Sequence, residues 1–198
     1  MTRKRTVLLK LISFGIVFLL IYLVFNKDQV TGSKNISKFE TADLDKNGLG
    51  EQYNLVNGRL KITQDNKIIW QSPTNWWVDD FVLADATNDD TLDINLSVWK
   101  KGNFGPDKPF WVKENDQSIK NHLFIFDLIQ DKVKAVWQSS NLEAPNCEFN
   151  FTDIDNDGKN ELIVTEGVYT DNHRCQDKYK AVWRWNGWGF SNIRRSEM

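Results

Sequence analysis

Three short segments of this 198-residue chain gather oxygen-bearing side chains at alternate positions. They are Asp43, Asp45, Asn47 and Glu51; Asp85, Thr87, Asp89 and Asp93; and Asp153, Asp155, Asp157 and Glu161. Alternate acidic residues on a tightly turning loop aim their carboxylates at one centre, and calcium, a hard cation, takes roughly six to eight oxygens in an adaptable arrangement. The third segment is the most complete. Its acids fill positions 1, 3 and 5, Gly158 sits at the sharp bend, Lys159 offers a backbone carbonyl at position 7, and Glu161 stands at position 9. The first segment matches it with Asn47 in place of the third acid. The second departs at Thr87 and at Asp90, which stands where the others have glycine, so its expected binding is weaker. Carboxylates packed this densely repel one another without a counter-ion, which is the reason to expect Ca2+. The alternative for each cluster is a solvated turn whose Asp and Asn side chains bond their own backbone. An EF-hand is excluded, since its position 12 requires a bidentate glutamate and these segments place Asn54, Leu96 and Val164 there.

Each cluster is followed by a strand-like run ending in tryptophan: Asp65 to Trp70, Asp131 to Trp137 and Asp177 to Trp183. A motif recurring at such spacing means one supersecondary unit copied along the chain. Asn57-Gly58 between two apolar-alternating runs is a strong hairpin signal. The segments 122–128, 132–139, 148–152, 161–169, 179–185 and 189–193 are rich in Val, Ile, Phe, Tyr and Trp and bounded by turn residues. No helical periodicity of useful length follows residue 26, so the domain is expected to be all-β. First acid to Trp spans 27 residues in the first unit, 30 in the third and 52 in the second. The surplus falls in 100–120, a Gly- and Pro-punctuated insertion loop.

The loops resemble those of the FG-GAP and VCBS repeat families, over about residues 39–194 and most specifically from Phe151 to Val164. That resemblance implies calcium-binding loops between strands of β-propeller blades. Propellers normally close with about four or more blades, so three units imply a partial or atypical propeller.

At the amino terminus, residues 7–25 are apolar except for Lys10 and Ser13, after a basic tail over 1–6. Such a run is long enough to span a bilayer, and the basic flank favours a signal-anchor with its N-terminus in the cytoplasm. A cleaved secretory signal is the alternative. Residues 26–38 read as a linker, and 39–198 as the exported domain at the cell membrane. Setting aside the four cationic residues among the first ten leaves 21 basic and 27 acidic side chains, a formal charge of −6. Nucleic acid is therefore a poor partner and a cation a good one. Outside the cytoplasm, Cys147 and Cys175 have conditions in which to form a disulfide.

Trp70, Trp137 and Trp183 recur at one place per unit, as packing positions do. Trp76, Trp77, Trp111 and the segment 185–190 are less constrained and are candidates for an exposed platform. His122, His173 and the neighbouring acids Asp79 and Asp80 form no recognisable catalytic set, and no nucleophile, phosphate-loop or zinc motif is present. The resulting expectation is a surface binding or interaction module rather than an enzyme. Its contact loop would be 100–120, with Phe104, Phe110 and Trp111 as contacts for a protein or glycan, or that loop would plug an open sheet edge; self-association is the alternative way to cover that edge. An envelope glycan-active enzyme and a purely structural subunit are the alternatives.

Overall fold

The computed structural model describes residues 36–103, 113, 116–170 and 175–197, with the side chains of 175–177 excepted. The expected membrane segment 7–25, most of the linker, and Phe104, Phe110, Trp111 and His173 lie outside the described residues, as does the side chain of Cys175. No helix among the described residues is long and apolar enough to cross a membrane.

The domain is all-β. Twelve strands form three four-stranded antiparallel sheets, and each sheet is a simple meander in chain order. Sheet I holds β1 (Ser37–Ala42), β2 (Glu51–Val56), β3 (Arg59–Gln64) and β4 (Lys67–Gln71). Sheet II holds β5 (Trp77–Ala84), β6 (Asp93–Lys101), β7 (Ile119–Ile129) and β8 (Lys132–Gln138). Sheet III holds β9 (Asn146–Thr152), β10 (Glu161–Tyr169), β11 (Cys175–Trp185) and β12 (Phe190–Glu197). None of the sheets closes on itself.

Side-chain alternation explains which face each strand buries. In β2, Glu51, Tyr53 and Leu55 point inward while Gln52, Asn54 and Val56 point out. The β2–β3 turn places Asn57 and Gly58 at φ 48° and 75°, the doubly left-handed geometry expected of Asn-Gly. Gly58 also lies directly beneath the Trp77 indole, where a side chain would have no room.

Sheet II is the middle layer and is buried on both faces. Ile94, Leu96, Val98, Phe124, Phe126 and Leu128 pack with Tyr53, Leu55, Leu60 and Ile62 of sheet I. On the other face, Leu123 and Ile125 pack with Phe149, Phe151, Leu162 and Val164 of sheet III. The second interface also carries buried polar groups, joined in a short network. Asn121 Nδ2 donates to Ser97 Oγ at 2.9 Å, and Asn121 Oδ1 accepts from the Asn146 amide at 3.0 Å.

The recurrent tryptophans do pack between layers, Trp70 against the first core and Trp137 and Trp183 against the second. Trp76, expected as part of an exposed platform, instead packs on Phe124 with ring centroids 5.0 Å apart. Trp77 and Trp185 are half-buried as well, and of the described tryptophans in that group only Trp188 is exposed. The insertion is shorter than its expected limits, because β6 and β7 stay paired out to Lys100↔Lys120 and Lys101↔Ile119. His122 is a core residue, with Nδ1 3.2 Å from the Ser139 carbonyl. Burial, helped by the nearby Lys100 charge, pushes its imidazole down to about 4.

Candidate metal centres

Every acidic segment connects the first and second strands of its sheet, and the three loops share one hydrogen-bond frame. The first aspartate accepts from the amides four and five residues on. Asp43 takes Asn47 N at 3.0 Å and Gly48 N at 2.9 Å. Asp85 takes Asp89 N at 3.1 Å and Asp90 N at 2.9 Å. Asp153 takes Asp157 N at 3.2 Å and Gly158 N at 2.9 Å. The fifth residue then accepts from the seventh, as Asn47 from Leu49, Asp89 from Thr91 and Asp157 from Lys159. Positions 4 and 6 are left-handed in all three, including Asp90 at φ 67°. The second loop thus makes the same bend without glycine, at a conformational cost that the other two avoid.

Position 9 is the buried anchor. Glu51, Asp93 and Glu161 open β2, β6 and β10 with no exposed surface. Each accepts from the amide at loop position 2: Leu44 at 2.9 Å, Ala86 at 2.8 Å and Ile154 at 3.2 Å. Burial raises the Glu51 carboxyl, with Leu44 N–H opposing and the Asp45 charge adding to the rise. Slight desolvation of Asp153 is outweighed by N–H donors from Gly158, Asn156 and Asp157, which hold its carboxyl below the usual range.

Carboxylate oxygens of Asp43, Asp45 and Glu51 lie within 4.8 Å of one another, as do those of Asp153, Asp155 and Glu161. Those two sets can hold a metal ion. The second loop brings together no such trio, although Thr87 Oγ1 and Asp93 Oδ1 are buried without a hydrogen-bond partner among the described residues.

The chemistry of each loop is set by a residue the sequence reading missed, on the third strand level with the position-9 anchor. In sheet I it is Gln64, whose Nε2 donates to Glu51 Oε1 at 2.8 Å and to the Leu49 carbonyl at 3.1 Å. In sheet II it is Asp127, a second carboxylate beside Asp93. Burial and then the Asp127 neighbour drive the Asp93 carboxyl up to about 7, against the opposing Ala86 N–H. In sheet III it is Arg184, paired directly across from Glu161. Its guanidinium lies 2.8 Å from Glu161 Oε1, 2.6 Å from Asp155 Oδ2 and 4.0 Å from Asp157 Oδ2. The loop with the fullest set of acids therefore already holds one internal cation. Sequence offsets from first acid to this residue differ in the three units, so only strand register reveals the equivalence.

The loops also join neighbouring sheets. Asp131, in the β7–β8 turn, donates its amide to Asp45 Oδ2 at 3.3 Å. Asn88 Oδ1 accepts from Asn160 N at 2.6 Å, and Asn160 Nδ2 reaches the Asp85 carbonyl at 2.9 Å. At the end of β9 away from the third loop, Cys147 is disulfide-bonded, and the chain has one other cysteine, Cys175.

No protein-family model, no curated protein and no solved structure matches this chain.

Proposed function

We propose that the chain is a membrane-anchored, extracytoplasmic binding module, a partial propeller of three β-units whose hairpin loops hold Ca2+. The observation that carries this reading is the pair of converging carboxylate trios, Asp43–Asp45–Glu51 and Asp153–Asp155–Glu161, each on the same hydrogen-bonded frame. A divalent ion there would neutralise crowded acids and stiffen the loops that tie sheet I to sheet II and sheet II to sheet III. The disulfide at Cys147 and the apolar stretch 7–25 support an exported location. In this reading Ca2+ is structural, and its residues position the body rather than act on a substrate.

The test is thermal melting of the full-length chain in calcium and in chelator. Calcium is expected to raise the midpoint, by about 2–4 °C for each kcal/mol of linkage in a domain of this size. Asp45→Ala should remove most of that increment. Equal midpoints in calcium and chelator would sink the metal reading.

A further inference from the structure

The interface between sheets II and III contains a cavity of about 240 Å3, and comparison with the interface between sheets I and II accounts for its place. Both interfaces are crossed by a linker that begins Trp-Gln-Ser. Ser72 donates its amide to the Leu60 carbonyl and its Oγ accepts from Leu60 N at 3.2 Å, and Ser139 does the same with Leu123, its Oγ accepting at 3.0 Å. Four residues after Ser72, Trp76 turns its indole inward onto Phe124 and Phe126. Four residues after Ser139 stands Glu143, which is exposed, followed by Ala144.

The walls are matched by register. Ile94, Leu96 and Phe126 of the filled interface correspond to Leu162, Val164 and Trp183 of the open one, while Phe124, on which Trp76 rests, corresponds to Ala181. The second interface receives no indole from its linker, and the cavity opens beside that linker, at Glu143 and Ala144. Val98 of the filled interface corresponds to Glu166, whose carboxylate enters the cavity wall. It is 4% exposed, accepting from Trp183 Nε1 at 3.2 Å and from Arg195 Nη2 at 2.8 Å.

We infer that this cavity binds a planar aromatic molecule of one or two rings bearing an N–H donor or an ammonium group, with an indole as its simplest member. An engineered apolar cavity of about 150 Å3 takes benzene, so a space of this size takes a somewhat larger ring system. Trp137 and Trp183 supply aromatic walls. A carboxylate has about four acceptor sites, so Glu166 can receive one further donor while keeping its two partners. Two carboxylates, Glu143 and Glu166, against one guanidinium, Arg195, favour a neutral or cationic ligand over an anionic one. None of the acids of the metal loops lines this site, although Leu162 and Trp183 of its wall adjoin Glu161 and Arg184 in the chain.

The probes are indole, tryptamine and indole-3-acetate, titrated calorimetrically into the full-length chain. Glu143→Trp, which restores the indole four residues after the serine, serves as the blank, and Ala144→Trp is the second filling variant. Expected results are saturable indole binding, weakened at least about tenfold in a filled variant whose melting midpoint is equal to or above that of the parent. Tryptamine should bind more tightly than indole-3-acetate, and Glu166→Gln should narrow that difference. Absence of saturable indole binding to the parent chain would overturn the proposal. So would undiminished binding in both filled variants, or a stronger preference for the acetate.

Discussion

The first and third acidic loops share one hydrogen-bond frame, yet differ in what faces them from the third strand. Gln64 offers the first loop a neutral amide, whereas Arg184 brings the third loop a full positive charge. The difference shows that counting acids misjudges a cation site. The third loop has the larger set of carboxylates, but part of its repulsion is already relieved, so an incoming ion gains less there. The first loop has fewer acids and no such competitor, which favours it as the tighter site. The second loop, opposed by Asp127, is the opposite extreme, a place where burial and a neighbouring acid raise the Asp93 carboxyl.

The largest expected effect lies in that second loop. In chelator, the raised Asp93 value means that the folded state holds a proton that the unfolded chain releases near pH 4. Stability is then fully present below about pH 4 and is lost as pH rises through about 7, by roughly 2–4 kcal/mol. Asp93→Asn should flatten that slope in denaturant titrations from pH 4 to 8. An unchanged slope would mean that the Asp93 carboxyl is not raised in the folded state.

Cutting the buried anchors tests the other two loops against each other. Glu161→Ala strands the Ile154 amide and leaves Arg184 without its buried partner, for a cost of about 3 kcal/mol. Glu51→Ala strands the Leu44 amide and Gln64 without an unpaired charge, for about 2 kcal/mol. Chemical denaturation reads both, and equal losses would erase the distinction between the two loops.

The smallest and sharpest test is Arg184→Gln, which gives the third loop the sheet I residue. Removing a partly exposed guanidinium should cost little stability without metal, while calcium affinity at that loop rises about tenfold. Calorimetric titration separates the two terms. Unaltered calcium affinity would show that Arg184 does not compete for the site.

The all-β class, the Asn57-Gly58 hairpin and the loop positions were legible because each is local, written in alternation and turn chemistry. Strand β5 was hidden by Asp79 and Asp80, which propensity counts against a strand. Their surroundings explain the choice: Asp79 accepts from the Trp77 and Trp99 indoles at 2.8 and 2.5 Å, and Asp80 pairs with Lys38 at 3.0 Å. The residues opposing the anchors were illegible for a different reason. Gln64, Asp127 and Arg184 are equivalent only across hydrogen-bonded strands, and the insertion between β6 and β7 breaks their spacing along the chain. The cavity was likewise invisible, since it depends on Trp76 folding inward in one linker and having no counterpart in the other.

Every strand pairing joins neighbours in the chain. Each sheet can therefore zip up from a contiguous stretch as it emerges, with little loop-closure entropy to overcome, and the first can form before the last has been synthesised. The slow step should be the closure of β6 onto β7 across the long excursion between Lys101 and Ile119. Until that happens, the middle layer has no second half against which its neighbours can dock.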